Sequence, residues 1–361
     1  MHIPDGYLSP STCAVLYAGA APLWFIALKR VQRLLHTKMV PLLSVFAAFS
    51  FVIMMFNLPL PGGTTGHAAG MGISAIVLGP WGSIVAVSVA LLIQALFFGD
   101  GGITAFGANC FNIAIVGSLV AYFVYRAIAG KTAVTDKRRV WAAGFAGYAA
   151  LNIAALLTAI EFGLQPEFFK DATGAPLYSP YPLHIAIPAM MIGHLSFAGL
   201  AEAIISGGVV AYLQRANPAL LSLTAREAQA GSTPDARTGG WRAARPLWIG
   251  LTALMLLCPL GLLVAGTAWG EWSPDDFRDP ASRTEMTLAS RDAAPPPHPP
   301  QGLEKLSALW TAPIPDYAPP FLKSEALGYV LSAFFGTGLI LGVLLLWSAL
   351  SQRIGAGREY S

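Results

Sequence analysis

Charge is what this chain of 361 residues lacks most: Asp, Glu, Lys and Arg together make up 11% of it. A soluble domain carries about 25%. With 55% of the residues hydrophobic, too few charges remain to cover a water-facing surface, so lipid must cover most of the chain. Cysteine is scarce too. Cys13, Cys110 and Cys258 lie far apart inside apolar runs, which argues against a disulfide framework or a thiolate metal site and leaves them as small buried hydrophobes. Basic residues are missing from the N-terminus, where the first is Lys29, after an apolar run. A cleaved secretory signal needs its basic stretch first, so the mature chain is expected to begin at Met1 or His2. Soluble-enzyme motifs are missing as well. There is no H-E-x-x-H, G-x-S-x-G or C-x-x-C, and Gly130-Lys131-Thr132 has Tyr125 where a phosphate-binding loop needs glycine. The chain is therefore expected not to be an enzyme, and active transport would draw its energy from a partner or from ion coupling.

What is present is a series of apolar runs long enough, or nearly so, to span a bilayer. They cover Cys13 to Leu28, Val40 to Phe56, Ala68 to Phe98, Ile103 to Tyr125, Val140 to Phe162, Leu183 to Leu213, Pro246 to Trp269 and Ala326 to Leu350. Gly79-Pro80 breaks the third run into two short spans, which makes nine. The expected fold class is an all-α polytopic membrane protein: a seven-helix bundle plus a two-helix C-terminal unit with a long extracytoplasmic loop. Residues 1–213 form the first part, 214–245 a cytoplasmic linker and 246–361 the two-span accessory unit. The linker contains AQAGSTPDARTGG, a flexible composition. The outer segment Gly270 to Ser324 contains DAAPPPHPPQG and reads as extended chain with little packed core.

Charge orients the chain. With the N-terminus outside, every basic residue except Lys170, Arg278, Arg283, Arg291, Lys305 and Lys323 falls on the inner side, and five of those six share one long loop. This asymmetry follows the positive-inside rule. It places the C-terminus in the cytoplasm, and it survives only if Gly79-Pro80 reverses the chain. The expected location is the inner (plasma) membrane.

The histidines are His2, His36, His67, His184, His194 and His298. His2 follows only Met1. A terminal amine, the backbone nitrogen of residue 2 and the imidazole of residue 2 can reach one ion through fused five- and six-membered rings. A fourth nitrogen closes a square plane, which suits Ni(II) or Cu(II). Hard cations such as Mg(II) and Ca(II) cannot displace a backbone proton and prefer oxygen. Binding would release protons and depend on pH. His67, in PLPGGTTGHAAG on the same outer face, is the natural fourth ligand; a lone histidine in a terminus or loop is, however, more often a solvated residue. Asp5 either orients an imidazole or caps the first span. Asn57 precedes the histidine loop and is a candidate to support its ligand, while Asn109 and Asn112, one helical turn apart, either line a cavity or make interhelical hydrogen bonds. His194 and Glu202, about 12 Å apart along one helix face, suit helix or partner contacts, and Glu202 is taken as the sole acid within a span. Asp100, in FFGDGG, reads as a tight outer turn.

The opening MHIPDGYLS, the loop NLPLPGGTTGHAAG, LGPWGS, ALFFGDGGITAFGANCFNIAIVG and GHLSFAGLAEAIISGGVVAYL together resemble the CbiM/NikM family over roughly Met1 to Leu213. These are the metal-binding substrate components of energy-coupling factor importers. The resemblance implies a seven-helix bundle with its N-terminus tucked into the outer cavity. It implies a metal held by the Met1 amine, the His2 backbone nitrogen, the His2 ring and His67. It also implies partners: a transmembrane coupling (T) subunit and cytoplasmic ATPase (A) subunits, with no nucleic acid. PQGLEKLS resembles the accessory NikN or PDGLE-type unit but departs from PDGLE at Gln301. MHIPDG and PGGTTGH look like the nickel branch, so Ni(II) is the expected substrate and Co(II) the second. The competing classes are an ion-coupled secondary metal transporter, which usually shows internal repeats and midplane acids, and an intramembrane metalloenzyme, which needs a carboxylate at motif spacing from a histidine.

Overall fold

The computed structural model describes residues 1–35, 40–222 and 241–358. Most of the proposed linker, including Arg226 and Arg237, lies outside the described residues, as do His36 and Lys38. Helix α1, Pro10–Leu35, begins where the Ser9 hydroxyl accepts the Thr12 backbone N–H at 3.1 Å. Proline at the first helical position suits that start. Helix α2, Val40–Met54, is 15 residues long and buried along almost its whole length. Strands β1, Leu58–Leu60, and β2, Thr64–Gly66, form an antiparallel hairpin with Leu58 opposite Gly66. Helix α3, Met71–Ile93, then continues through a wide turn at Gln94–Phe98.

Helix α3 reverses direction. A straight 28-residue helix would separate its ends by about 42 Å, yet His67, before it, and Asp100, beyond it, both meet His2. The break is Gly79, at φ 74° and ψ 169°, followed by Pro80. Side chains of α1 mark the returning limb level by level. Tyr17 donates to the Ile103 carbonyl, Trp24 donates to Ser88 at 3.0 Å, and Arg30 stacks on Trp81. The Gly79-Pro80 turn therefore lies at the face opposite the N-terminus, as the charge pattern required.

Helix α4, Phe106–Asn109, passes through a wide-turned segment, Cys110–Gly117, into α5, Ser118–Ala129. Helix α6, Lys137–Phe168, is capped by Asp136, whose side chain accepts the Arg138 N–H. Helix α7, Leu183–Gly193, continues through a third wide turn, His194–Ala198, into α8, Gly199–Ala216, and the short α9, Pro218–Ser222, follows. The C-terminal unit contains α10, Trp241–Leu257, α11, Pro280–Ala289, α12, Gln301–Ser307, and α13, Glu325–Arg358. Among the described residues seven helices are long and apolar enough to cross a membrane. The expected second span is shorter, and the expected third and fourth are the limbs of bent α3. Leu200, Ile204, Trp141 and Phe145 point outward, as a lipid-facing wall requires. The three cysteines are free and buried.

Two expectations need correction. The outer segment is not loose extended chain. It folds into α11 and α12 and buries Trp272, Phe277, Met286 and Leu303 in the same hydrophobic core as the N-terminal bundle. Its prolines fit because they start these helices or run between them. Glu202 is also not the only acid inside a span: Glu161 lies within α6, where its carboxylate accepts from Asn112 at 2.8 Å.

Candidate metal centre

The first nine residues form an arm threaded into the end of the bundle. Ile3, Tyr7 and Leu8 are buried, so the arm anchors itself by apolar contact. Its polar groups are satisfied one by one. Ile3 N–H donates to Asn109 Oδ1 at 2.8 Å, and Asn109 Nδ2 returns a bond to the Ile3 carbonyl at 3.0 Å. Gly102 N–H donates to the same carbonyl. The Asp5 carboxylate accepts from the Ile103 and Thr104 backbone and from the Thr104 hydroxyl. Tyr7 donates to the Trp272 carbonyl, and Ser9 N–H donates to Gln165. Gly6, at φ 88°, sits so close to the Leu303 backbone that a side chain would collide with it.

This arm places His2 against His67, with ring centroids 4.8 Å apart. Met1, His2 and His67 are only 2%, 1% and 6% exposed. His67 Nδ1 lies 3.1 Å from the Ala68 carbonyl, a contact that protonates Nδ1 and leaves the Nε2 lone pair free. Burial first, and then the positive charges of His2 and the amine, push the His67 imidazole well below its usual range. A neutral ring is the form a metal requires. His2 Nε2 is buried without a hydrogen-bond partner, and His2 Nδ1 lies against Asp100 Oδ1. The Met1 amine pairs with Glu271 Oε1 at 3.0 Å. Burial works to raise the Asp100 carboxyl, but the His2 charge, the hydrogen bond to His2, the His67 charge and the Tyr317 hydroxyl outweigh it and hold it well below the usual range.

The hairpin and α3 hold His67 in place through Glu202. Its two carboxylate oxygens accept the backbone N–H groups of Ala69, Gly70 and Gly72 at 2.9, 2.9 and 3.0 Å. A carboxylate at the start of α3 satisfies donors that the helix itself cannot. Replacing Glu202 with Ala leaves three buried N–H groups unpaired. The expected cost is on the order of 3 kcal/mol, read as a lower thermal midpoint in detergent. An unaltered midpoint would defeat this role.

Other expected residues take different places. Asp5 neither caps α1, which Ser9 does, nor touches an imidazole. Asn109 grips the arm, whereas Asn112 makes an interhelical contact with Thr158 and Glu161. Asn57 is half-buried beside Gly261 and directly precedes Leu58, which pairs with Gly66 in the hairpin. His194 Nδ1 bonds the Met190 carbonyl, and its Nε2 is buried without a partner. The residues that sequence reasoning missed are Asp100 and Glu271. Asp100 had one signal, as a single acid between glycines in FFGDGG; Glu271 had none. Among the described residues no three His, Cys, Asp or Glu side chains are grouped to hold a metal.

A family model for the cobalt uptake substrate-specific transmembrane region, CbiM, matches residues 2–220. The chain belongs to the CbiM family. A PDGLE domain matches residues 243–353. The chain is 55% identical over 358 residues to the fused nickel transport protein NikMN of Rhodobacter capsulatus, covering 98% of this chain and 100% of that one. It is 34% identical over 271 residues to the cobalt transport protein CbiM of Geobacter sulfurreducens, covering 74% and 72%. A crystal structure of a truncated transition metal transporter matches at 51% identity and TM-score 0.55, covering 59% of this chain and 98% of that one. This CbiM-family chain is an integral membrane protein and a nickel/cobalt transport component, not an enzyme.

Proposed function

We propose that the chain captures Ni(II), with Co(II) as second choice, for an ATP-driven energy-coupling factor importer. The carrying observation is the 4.8 Å approach of the His2 and His67 rings beside a buried terminal amine. The ligands in this reading are the Met1 amine, the His2 backbone nitrogen, His2 Nδ1 and His67 Nε2. Their four nitrogens make a square plane that favours nickel over hard cations. Asp100 and Glu271 are the counter-charges. They lie against the His2 ring and the Met1 amine, and they offset the ion's charge once it is bound.

The N-terminus lies on the outer face in this reading. The opposite face carries Arg126 and Arg139, which suits the cytoplasmic side. Residues 1–213 form the metal-binding part, 214–245 a cytoplasmic linker and 246–361 the accessory unit. A transmembrane T subunit and ATPase A subunits supply the energy, because the chain has no nucleotide-binding motif. Nickel uptake in cells with and without the partner ATPase tests this. Sustained accumulation is expected only with the ATPase. Robust uptake by the chain alone, abolished by an uncoupler, would replace this reading with an ion-coupled secondary transporter.

A further inference from the structure

The proposed ligands are sealed from solvent, so a metal ion needs a way in. Two apolar grooves open on the bundle's sides, one along Phe46, Tyr212 and Leu251 and one along Trp141, Phe145 and Ile204. Both face lipid and offer a cation nothing. A larger outer cavity is walled by Arg278 and Arg283, which repel a cation. A fourth cavity, of about 190 Å³, lies between the arm and the C-terminal unit. Its walls include Pro4, Asp5, Gly99, Gly101 and Glu271. Pro4 and Asp5 follow His2 in the arm, and Gly99 and Gly101 flank Asp100. One water needs about 10–15 Å³ of such space, so the cavity admits several waters. The Asp5 carboxylate is committed to backbone N–H groups. Glu271 is 21% exposed and touches the Met1 amine at 3.0 Å, so it faces both the cavity and the site.

We propose that this cavity is the route by which the divalent ion reaches its ligands, with Glu271 of the C-terminal unit as the carboxylate that receives it at the inner end. The proposal rests on the metal-capture reading above. The ion displaces the terminal ammonium from Glu271, and that group gives a proton to water in the cavity before its freed lone pair binds the ion. Ser307 and Trp310 also line the cavity, and Trp310 donates to the Leu96 carbonyl. Neither residue touches the proposed ligands.

A route and a ligand leave different kinetic signatures. A residue that shapes only the route changes association and dissociation by the same factor and leaves Kd unchanged. Stopped-flow measurement of Ni(II) binding to the full-length purified chain separates the two. Ser307→Trp narrows the cavity and should slow both rates, on the order of 10-fold, at constant Kd. Trp310→Ala widens it and should speed both. Glu271→Gln should slow association and flatten its dependence on ionic strength, because charged clefts raise on-rates by about 10- to 1,000-fold. Association rates equal to those of the parent chain in Ser307→Trp and Trp310→Ala would overturn the route. An unchanged rate and salt dependence in Glu271→Gln would remove Glu271 from it. Equilibrium nickel binding by the parent chain tests the ligand set separately, so failure of the route and failure of the metal-capture reading cannot be confused.

Discussion

A chain extended by Gly-Gly ahead of Met1 is expected to lose nickel affinity by orders of magnitude, on the order of 1,000-fold or about 4 kcal/mol. Three of the four proposed donors belong to residues 1 and 2, and the added residues carry the amine away from the ion. The structure leaves no slack for them, because Met1 is 2% exposed and its amine is held by Glu271 at 3.0 Å. Two residues are the informative length. A single added residue creates an amine, two backbone nitrogens and an imidazole, which fill a square plane without His67. Such a variant can still bind nickel but no longer links the ion to the bundle. Isothermal titration with the parent chain and with both extensions distinguishes these cases. Full affinity in the Gly-Gly chain would end the terminal-chelate reading.

The parts of the fold visible in the sequence were those that repeat. Apolar runs of bilayer length marked the spans, and basic residues concentrated in one set of loops required the reversal at Gly79-Pro80. The structure makes that reversal with one glycine at positive φ. His2 and His67 were legible for a different reason: the chemistry of a terminal histidine called for a fourth nitrogen, and His67 lay on the same face. What stayed hidden depends on contacts between distant segments. Glu271 meets Met1 across 270 residues, and no local pattern encodes that pairing. The outer segment was misread because its prolines suggested an extended chain. Trp272, Phe277, Met286 and Leu303 recur with neither helix nor strand period, so their shared burial left no periodic trace. Glu202 was noticed as a buried acid, but its role as the cap that fixes the His67 loop depends on where Ala69, Gly70 and Gly72 point.

His67→Ala is expected to abolish nickel uptake while only weakening nickel binding. On the proposed ligand set, the amine, the His2 backbone nitrogen and His2 Nδ1 should still hold the ion in this variant, with water completing the plane. A loss on the order of 100-fold, or about 3 kcal/mol, is expected in titration. The visible absorption band of square-planar nickel should move to longer wavelength as a weaker-field oxygen replaces nitrogen. The loop itself should survive. Glu202 still binds Ala69, Gly70 and Gly72, and Thr65 still pairs with Ala268 of the C-terminal unit. Transport fails more completely than binding because His67 is the one proposed ligand outside the arm. Through it the ion joins the arm to the hairpin and to α3, which gives the occupied and empty states different contacts. A ligand shifts a conformational equilibrium only through such a difference, and without it the partner subunits have no occupied state to recognise. Radioactive nickel uptake in cells with all partner subunits measures the outcome, alongside immunoblots of membrane fractions to confirm insertion. Parent-level uptake by inserted His67→Ala protein would remove His67 from the transport cycle.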